Sequence, residues 1–112
     1  MRNLPDDFLQ ELFDEMETGA QAYAKAAALA EGLREDRKVT KNMLMLVAEA
    51  EGTHTITKQE RFAYTHPSYR IIIDQLKGAI EAEALTRYKM KMFELRFEAW
   101  RSLNSNARIA TR

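Results

Sequence analysis

The chain has 112 residues and a mass of 13.0 kDa, with 46% hydrophobic and 30% charged residues, so we expect one domain over residues 1–112. The absence of cysteine excludes disulfides and thiolate metal ligands and agrees with a cytoplasmic protein. No apolar run reaches the roughly 20 residues of a membrane span, and the acidic start of the chain does not resemble a signal peptide, so we expect no contact with a membrane.

The formal net charge of zero conceals an uneven distribution of charge. Residues 1–36 hold nine acids against three bases, whereas residues 84–112 hold seven bases against two acids. Such separation is typical of a basic surface for a polyanion, or of acidic and basic ends that meet between neighbouring copies. It is equally typical of solvated helix faces, and the sequence leaves these interpretations open.

The first half of the chain predicts two helices. Pro5, followed by two aspartates, favours the first turn of a short acidic helix over residues 5–17, and Thr18-Gly19 predicts a break after it. A long helix is predicted over residues 20–51 from the spacing of its apolar residues. Gly52 is the expected terminator of this helix, because glycine readily adopts the left-handed conformation that ends many helices.

The second half predicts a short helix followed by another long one. Thr57 and Glu60 are spaced as in a capping box and predict a central helix over residues 58–65. Pro67 is expected in the first turn of the last helix, which is predicted over residues 68–103 because its apolar residues recur at three-four spacing.

These elements predict an all-α fold, a long helical hairpin with a short N-terminal and a short central helix. The polar tail, residues 104–112, is expected to fray. A helix of about 36 residues is about 54 Å long, which exceeds a compact domain of this size, so we expect apolar surface to remain for self-association. Trp100 is expected in the core or in a subunit contact. The alternative is a three-helix monomer, in which Gly78 ends the last helix early.

Few residues suggest catalysis, and we do not expect an enzyme. His54 and His66 are twelve residues apart around the predicted central helix, a spacing that does not favour a zinc site. The glycines are isolated and form no phosphate-binding loop. No catalytic residue, metal or cofactor is therefore predicted.

Basic residues next to aromatic residues indicate a nucleic-acid surface. Lys58 and Arg61 lie one helical turn apart on the central helix, close to Phe62 and Tyr64. Cations neutralise phosphates and aromatic faces stack on bases, which is the chemistry of single-strand binding without sequence preference. The alternative is that the rings belong to the core and the cations pair with neighbouring acids. The predicted nucleic-acid-binding residues are Lys58, Arg61, Lys41, Lys38, Arg37 and Arg70.

Three short segments carry a resemblance to a known family. They are Lys-Val-Thr-Lys-Asn-Met-Leu at residues 38–44, Glu-Ala at residues 49–50, and Lys-Gln-Glu-Arg-Phe-Ala-Tyr at residues 58–64. Together they resemble the UvsY family of phage recombination mediators. The resemblance is best over residues 20–75 and looser over the last helix. Gly52 and the threonine-rich connection after it depart from the continuous basic helix that the family leads us to expect.

The resemblance implies a small all-helical protein that assembles into a ring and binds single-stranded DNA without reading its sequence. Such mediators help to load a phage recombinase by displacing the single-strand-binding protein, here in the host cytoplasm. Lys58 and Arg61 would then contact phosphates, with Lys41 as a helper. The last helix would mediate oligomerisation, and the interface implied is Met92, Leu95 and Trp100.

A protein-binding adaptor or inhibitor of a host enzyme is the alternative from another class. It would act through the acidic N-terminal helices, docking on a basic partner. Its face would consist of Glu11, Asp14, Glu15 and Glu17, with Phe8 and Phe13 exposed. Salt-dependent binding of a single-stranded oligonucleotide separates the two functions.

Overall fold

The computed structural model describes residues 6–110 of the chain. These residues form three α-helices and no strand: α1 spans Asp6–Ala50, α2 spans Ile56–Thr65 and α3 spans Pro67–Ala110. The all-α prediction is confirmed. The helices contribute to two compact units: unit 1 contains α1 up to Lys25 and α3 from Ala84, and unit 2 runs from Ala26 to Glu83. No helix over the described residues is long and apolar enough to cross a membrane.

The first helix continues through Thr18 and Gly19, where the sequence predicts a break between a short and a long helix. A glycine inside a helix costs about 1 kcal/mol relative to alanine. Gly19 is half-buried, and a Cβ built on it would lie 2.7 Å from Cε2 of Phe93. Because α3 packs so closely at this residue, tertiary packing outweighs the low helix propensity. The separate N-terminal helix is therefore not formed, and its predicted start at Pro5 lies outside the described residues.

Gly52 terminates α1 as the sequence predicts. Its φ of 99° lies in the left-handed region, which residues with a Cβ rarely adopt. The Gly52 amide donates a hydrogen bond to the Glu49 carbonyl at 3.0 Å, and the Thr53 amide donates to the Ala48 carbonyl at 2.9 Å. These two bonds form a Schellman motif, which satisfies carbonyl groups that the end of the helix leaves open.

The second helix begins before the predicted capping box. Thr55 is the N-cap residue in an extended conformation, and its side chain makes no capping hydrogen bond. Thr57 lies inside the helix, so the Thr57–Glu60 box is not formed. The Gln59 side-chain amide instead donates to the Thr53 carbonyl at 2.8 Å, and Gln59 is buried. This bond ties the first turn of α2 to the preceding connection.

The last helix begins at Pro67, as predicted, and ends at Ala110 rather than at residue 103. Asn104 and Ala107 are half-buried, so one side of α3 remains partly covered within the polar tail. Packing of this side keeps the tail helical where composition favours fraying. The last two residues of the predicted frayed tail lie outside the described residues.

In unit 1, α1 and α3 pack side by side in opposite directions. Phe13 lies against Phe97, with ring centroids 5.8 Å apart, and Gly19, later in α1, lies against Phe93, earlier in α3. The residues of α3 that face α1 repeat at alternating three-four spacing, as in coiled coils. This inner stripe consists of Thr86, Met90, Phe93, Phe97, Trp100, Asn104 and Ala107. Leu12 of α1 is the most deeply buried large side chain of the unit.

In unit 2, the second half of α1, all of α2 and the start of α3 enclose a core of mostly small residues. The buried apolar residues are Ala30, Ala48, Ala63, Tyr69, Leu76 and Ala79. At one edge, a guanidinium nitrogen of Arg34 lies 3.7 Å from a carboxylate oxygen of Glu83, whose side chain is largely buried. Alanines let three helical segments approach closely, which fixes α2 against its two neighbours.

Candidate nucleic-acid interface

The structure places all six predicted nucleic-acid-binding residues in unit 2. Arg37, Lys38 and Lys41 lie on α1, Lys58 and Arg61 lie on α2, and Arg70 lies in the first turn of α3. The three helical segments that carry them pack together, so the cations belong to one compact unit. Their surroundings differ, however, and separate them into two groups.

One side of α2 presents two cations and an aromatic ring to solvent. Lys58 and Arg61 are exposed, and Tyr64 is 40% exposed. Because the three residues are spaced three positions apart, they follow one side of the helix, while Gln59 and Ala63 are buried on the other. Within the described part of the chain, neither Lys58 nor Arg61 forms an ion pair. Both charges are therefore available to a ligand.

Lys41 of α1 joins this side of α2 through Tyr64. The Lys41 Nζ lies 5.1 Å from the centroid of the Tyr64 ring, within the range of a cation–π contact. Hydrogen bonding with Tyr64 raises the pKa of Lys41 above its ordinary value of 10.5, so the ammonium stays charged at neutral pH. The ring of Tyr64 also lies 5.4 Å from that of Tyr69, which is buried. Contacts on two sides thus hold the exposed ring in place.

The aromatic side chains next to Tyr64 pack within unit 2 rather than facing solvent. Phe62 is half-buried, and its ring lies 5.6 Å from the ring of His66. The Nδ1 atom of His66 accepts a hydrogen bond from the Ser68 backbone amide at 3.1 Å, in the first turn of α3. Of the three rings Phe62, Tyr64 and Tyr69, only Tyr64 is exposed enough to stack on a ligand.

The remaining predicted cations lie in different environments. Lys38 is exposed and pairs with Glu35 at 3.4 Å. Arg37 is half-buried, and its Nε is buried without a hydrogen-bond partner. Arg70 is exposed. We therefore define the α2 surface as Lys58, Arg61 and Tyr64, which are exposed on one side of α2, together with Lys41, whose ammonium lies over the Tyr64 ring.

Two residues that position the α2 surface are not apparent from the sequence. Gln59 anchors the first turn of α2, and Tyr69 supports the ring of Tyr64 from α3. A polar residue on the same helix face as Ala63 is the signal that could have identified Gln59, since a polar side chain on a buried face needs a hydrogen-bond partner. The sequence places Tyr69 near the same cations, but its contact with Tyr64 has no comparable signal, because that contact depends on how α3 packs against α2.

The acidic side of α1 is partly engaged within unit 1. Glu15 forms an ion pair with Arg96 at 2.9 Å, and Asp14 accepts a hydrogen bond from Gln10 at 3.0 Å. Phe13 is 43% exposed but lies against Phe97. Unlike Lys58 and Arg61, part of this surface already has partners in the same chain.

Neither metal-ligand clusters among the described residues nor comparisons with known proteins add a further candidate ligand. Across residues 6–110, no group of three or more His, Cys, Asp or Glu side chains could hold a metal ion. Comparisons with protein-family models, with curated proteins and with solved structures find no match to the chain. The chemistry of the α2 surface is therefore the basis on which a ligand can be proposed.

Proposed function

We propose that the protein binds single-stranded DNA without sequence preference through the α2 surface. The observation that carries the proposal is that Lys58 and Arg61 are exposed on the same side of α2 as the Tyr64 ring and form no ion pair among the residues that the structure describes. The two cations suit backbone phosphates, and the exposed ring suits a base. The local charge supports a polyanion, because residues 37–41 and 58–70 together hold six bases and one acid, Glu60.

A single strand fits the α2 surface better than a duplex. The bases of a duplex are stacked on both sides, whereas an unpaired base can leave its neighbours and stack on an aromatic ring. Lysine and arginine at one-turn spacing contact phosphates without reading base edges, so this binding carries no sequence information. Phosphates and bases are common to DNA and RNA, and the resemblance to phage mediators is what favours DNA.

The biological role proposed from that resemblance is recombination mediation. The protein would hold single-stranded DNA in the host cytoplasm and help a phage recombinase to replace the single-strand-binding protein. Self-association belongs to this proposal, because Met92 and Leu95 are 38% and 52% exposed on α3. Trp100, the third residue of the implied interface, is half-buried on the inner stripe and stacks on Phe97 at 6.0 Å.

The direct test is fluorescence anisotropy with a labelled single-stranded oligonucleotide at several salt concentrations. We expect affinity to fall as salt rises, because the lysine and arginine side chains displace counterions that are condensed on the DNA phosphates. Replacing Lys58 and Arg61 together with alanine should weaken binding at least tenfold. The same variant should make the salt dependence shallower by roughly 1.4 in slope, about 0.7 for each phosphate that the variant no longer neutralises.

A matched control is the Lys25→Ala/Lys77→Ala variant, which removes two exposed lysines outside the α2 surface. It carries the same change in net charge, so we expect its affinity to stay within about threefold of the parent protein. An equal loss in both variants would show that net charge rather than the α2 surface controls binding. Absence of binding at low salt would exclude the DNA-binding function and favour the acidic adaptor.

A further inference from the structure

The last helix carries a second apolar stripe within unit 1, on the side turned away from α1. Leu85, Tyr88, Met92 and Leu95 repeat at alternating three-four spacing and are 38–62% exposed, and Ala99 continues the series. We call these five residues the outer stripe. Tyr88, Met92, Leu95 and Ala99 each lie two positions from a residue of the inner stripe, and two positions correspond to about 200° around a helix. The two stripes therefore lie on nearly opposite sides of α3.

The spacing of the outer stripe specifies the kind of partner it fits. Alternating three-four spacing is the pattern of a coiled-coil seam, whose side chains enter holes between the side chains of a facing helix. Four large apolar residues in such a row remain uncovered in the single chain. The stripe therefore fits an α-helix whose own apolar residues have matching spacing.

The charges on one flank of the outer stripe complement a second copy of the same helix. Lys91 and Glu98 lie on this flank, one heptad apart and with opposite signs. If two α3 helices pack antiparallel with Met92 facing Leu95 of the other copy, Lys91 of each faces Glu98 of the other. Within the described part of the chain, Lys91 pairs with Glu94 at 3.5 Å and Glu98 pairs with Arg101 at 3.2 Å, and all four side chains are exposed. Exposed pairs of this kind are weak and can be exchanged at little cost.

The other flank holds two cations whose charge is offset within the chain. Arg96 pairs with Glu15 at 2.9 Å. Lys89 lines the same shallow groove as Asp14 and Glu15 of α1. These acids reduce the repulsion that Lys89 and Arg96 would otherwise exert on their counterparts in an antiparallel pair.

We propose that a second copy of the chain docks on the outer stripe, so that two α3 helices pack antiparallel about a two-fold axis. The inference gives a definite geometry to the self-association proposed above, and it does not depend on DNA binding. A two-fold interface uses the same surface on both copies and closes with two chains. The ring implied by the resemblance requires an additional, head-to-tail contact elsewhere on the chain.

Cysteine cross-linking tests the direction and register of the two helices, because the chain contains no cysteine of its own. Two single variants, Met92→Cys and Leu95→Cys, are mixed and oxidised. We expect the mixture to form a disulfide-linked dimer faster than either variant alone, since residue 92 of one copy faces residue 95 of the other. Oligomers that form without this preferential cross-link would overturn the antiparallel register while leaving self-association intact.

Charge exchange across the flank tests the identity of the partner. Sedimentation equilibrium should show dimerisation weakened about tenfold by Lys91→Glu or by Glu98→Lys alone. The Lys91→Glu/Glu98→Lys double variant should recover the parent affinity, because each exchanged residue again faces its opposite. If the acidic segment of α1 were the partner instead, Glu98→Lys alone would strengthen association and the double variant would not restore it.

The mass of the parent protein is the third measurement. Its dimer should dissociate when Leu95 is replaced with glutamate, while circular dichroism shows unchanged helix content, since Leu95 is 52% exposed in the single chain. A parent protein that remains at 13.0 kDa at all concentrations would overturn both self-association and its proposed geometry. DNA binding is measured separately, so its failure and that of the dimer are distinguishable.

Discussion

At the scale of single residues, Gly19 determines how closely the two helices of unit 1 approach. A Cβ at this position would lie 2.7 Å from Cε2 of Phe93 and 3.3 Å from Sδ of Met90. Gly32, on the same helix, has nothing within 4 Å of the corresponding point. The two glycines therefore share a helical conformation and differ in whether α3 occupies the space of a side chain.

This contrast predicts opposite effects of the same substitution. Gly32→Ala should stabilise the protein by about 0.5–1 kcal/mol, the gain in helix propensity. The Gly19→Ala variant should have a free energy of unfolding at least about 1 kcal/mol below that of the Gly32→Ala variant, because Phe93 must shift to admit the methyl group. Urea unfolding of both variants measures the difference. Equal stabilisation by the two substitutions would show that the helices of unit 1 do not pack closely at Gly19.

At the scale of elements, α2 depends on Gln59 for its attachment to the chain before it. The Thr55 side chain provides no cap, and the hydrogen bond from Gln59 to the Thr53 carbonyl joins the first turn to the connection. Because Gln59 is buried, removal of its amide leaves the Thr53 carbonyl with one hydrogen-bond partner fewer beside a buried side chain. A ten-residue helix is too short to be stable without such contacts.

We therefore predict that Gln59→Met destabilises the protein by about 1 kcal/mol. Hydrogen exchange should accelerate in the amides of α2 more than in those of α1 and α3, since the hydrogen bond that is removed belongs to α2. Gln75→Met is the matched control, because Gln75 is exposed on α3, and its effect should stay within about 0.5 kcal/mol. Uniform acceleration over all three helices would show that Gln59 supports the whole unit rather than α2.

The elements also show which features local sequence can predict. Gly52 and Pro67 mark helix boundaries through their own backbone preferences, and both predictions are confirmed. The predicted break at Thr18-Gly19 is not formed, because Phe93 packs against Gly19. Local sequence does not predict this contact, since Phe93 lies far from Gly19 along the chain. The pairing of Lys41 with Tyr64 depends in the same way on how α1 and α2 pack, so the sequence predicts the residues of the site but not their contact.

At the scale of the whole molecule, the proposed self-association would change what a weak binding site can achieve. One α2 surface offers three cations and one exposed ring, which is a small area for a flexible polymer. A dimer carries two such surfaces, and a strand long enough to reach both binds the second at a raised effective concentration. In the proposed dimer, the outer stripe and the α2 surface would be coupled through avidity, without any change in either site.

The final prediction separates avidity from intrinsic affinity. Leu95→Glu, which disrupts the outer stripe, should leave binding to an oligonucleotide of about 8 nucleotides unchanged, since this length is close to that of a single site. Binding to a strand of about 60 nucleotides should weaken at least tenfold, because the complex then holds only one α2 surface. Leu29→Glu is the control, as it adds the same charge at another exposed leucine outside the outer stripe, and it should preserve the preference for the long strand. Equal weakening on short and long strands would mean that Leu95 acts on the α2 surface itself, and the coupling through dimerisation would be excluded.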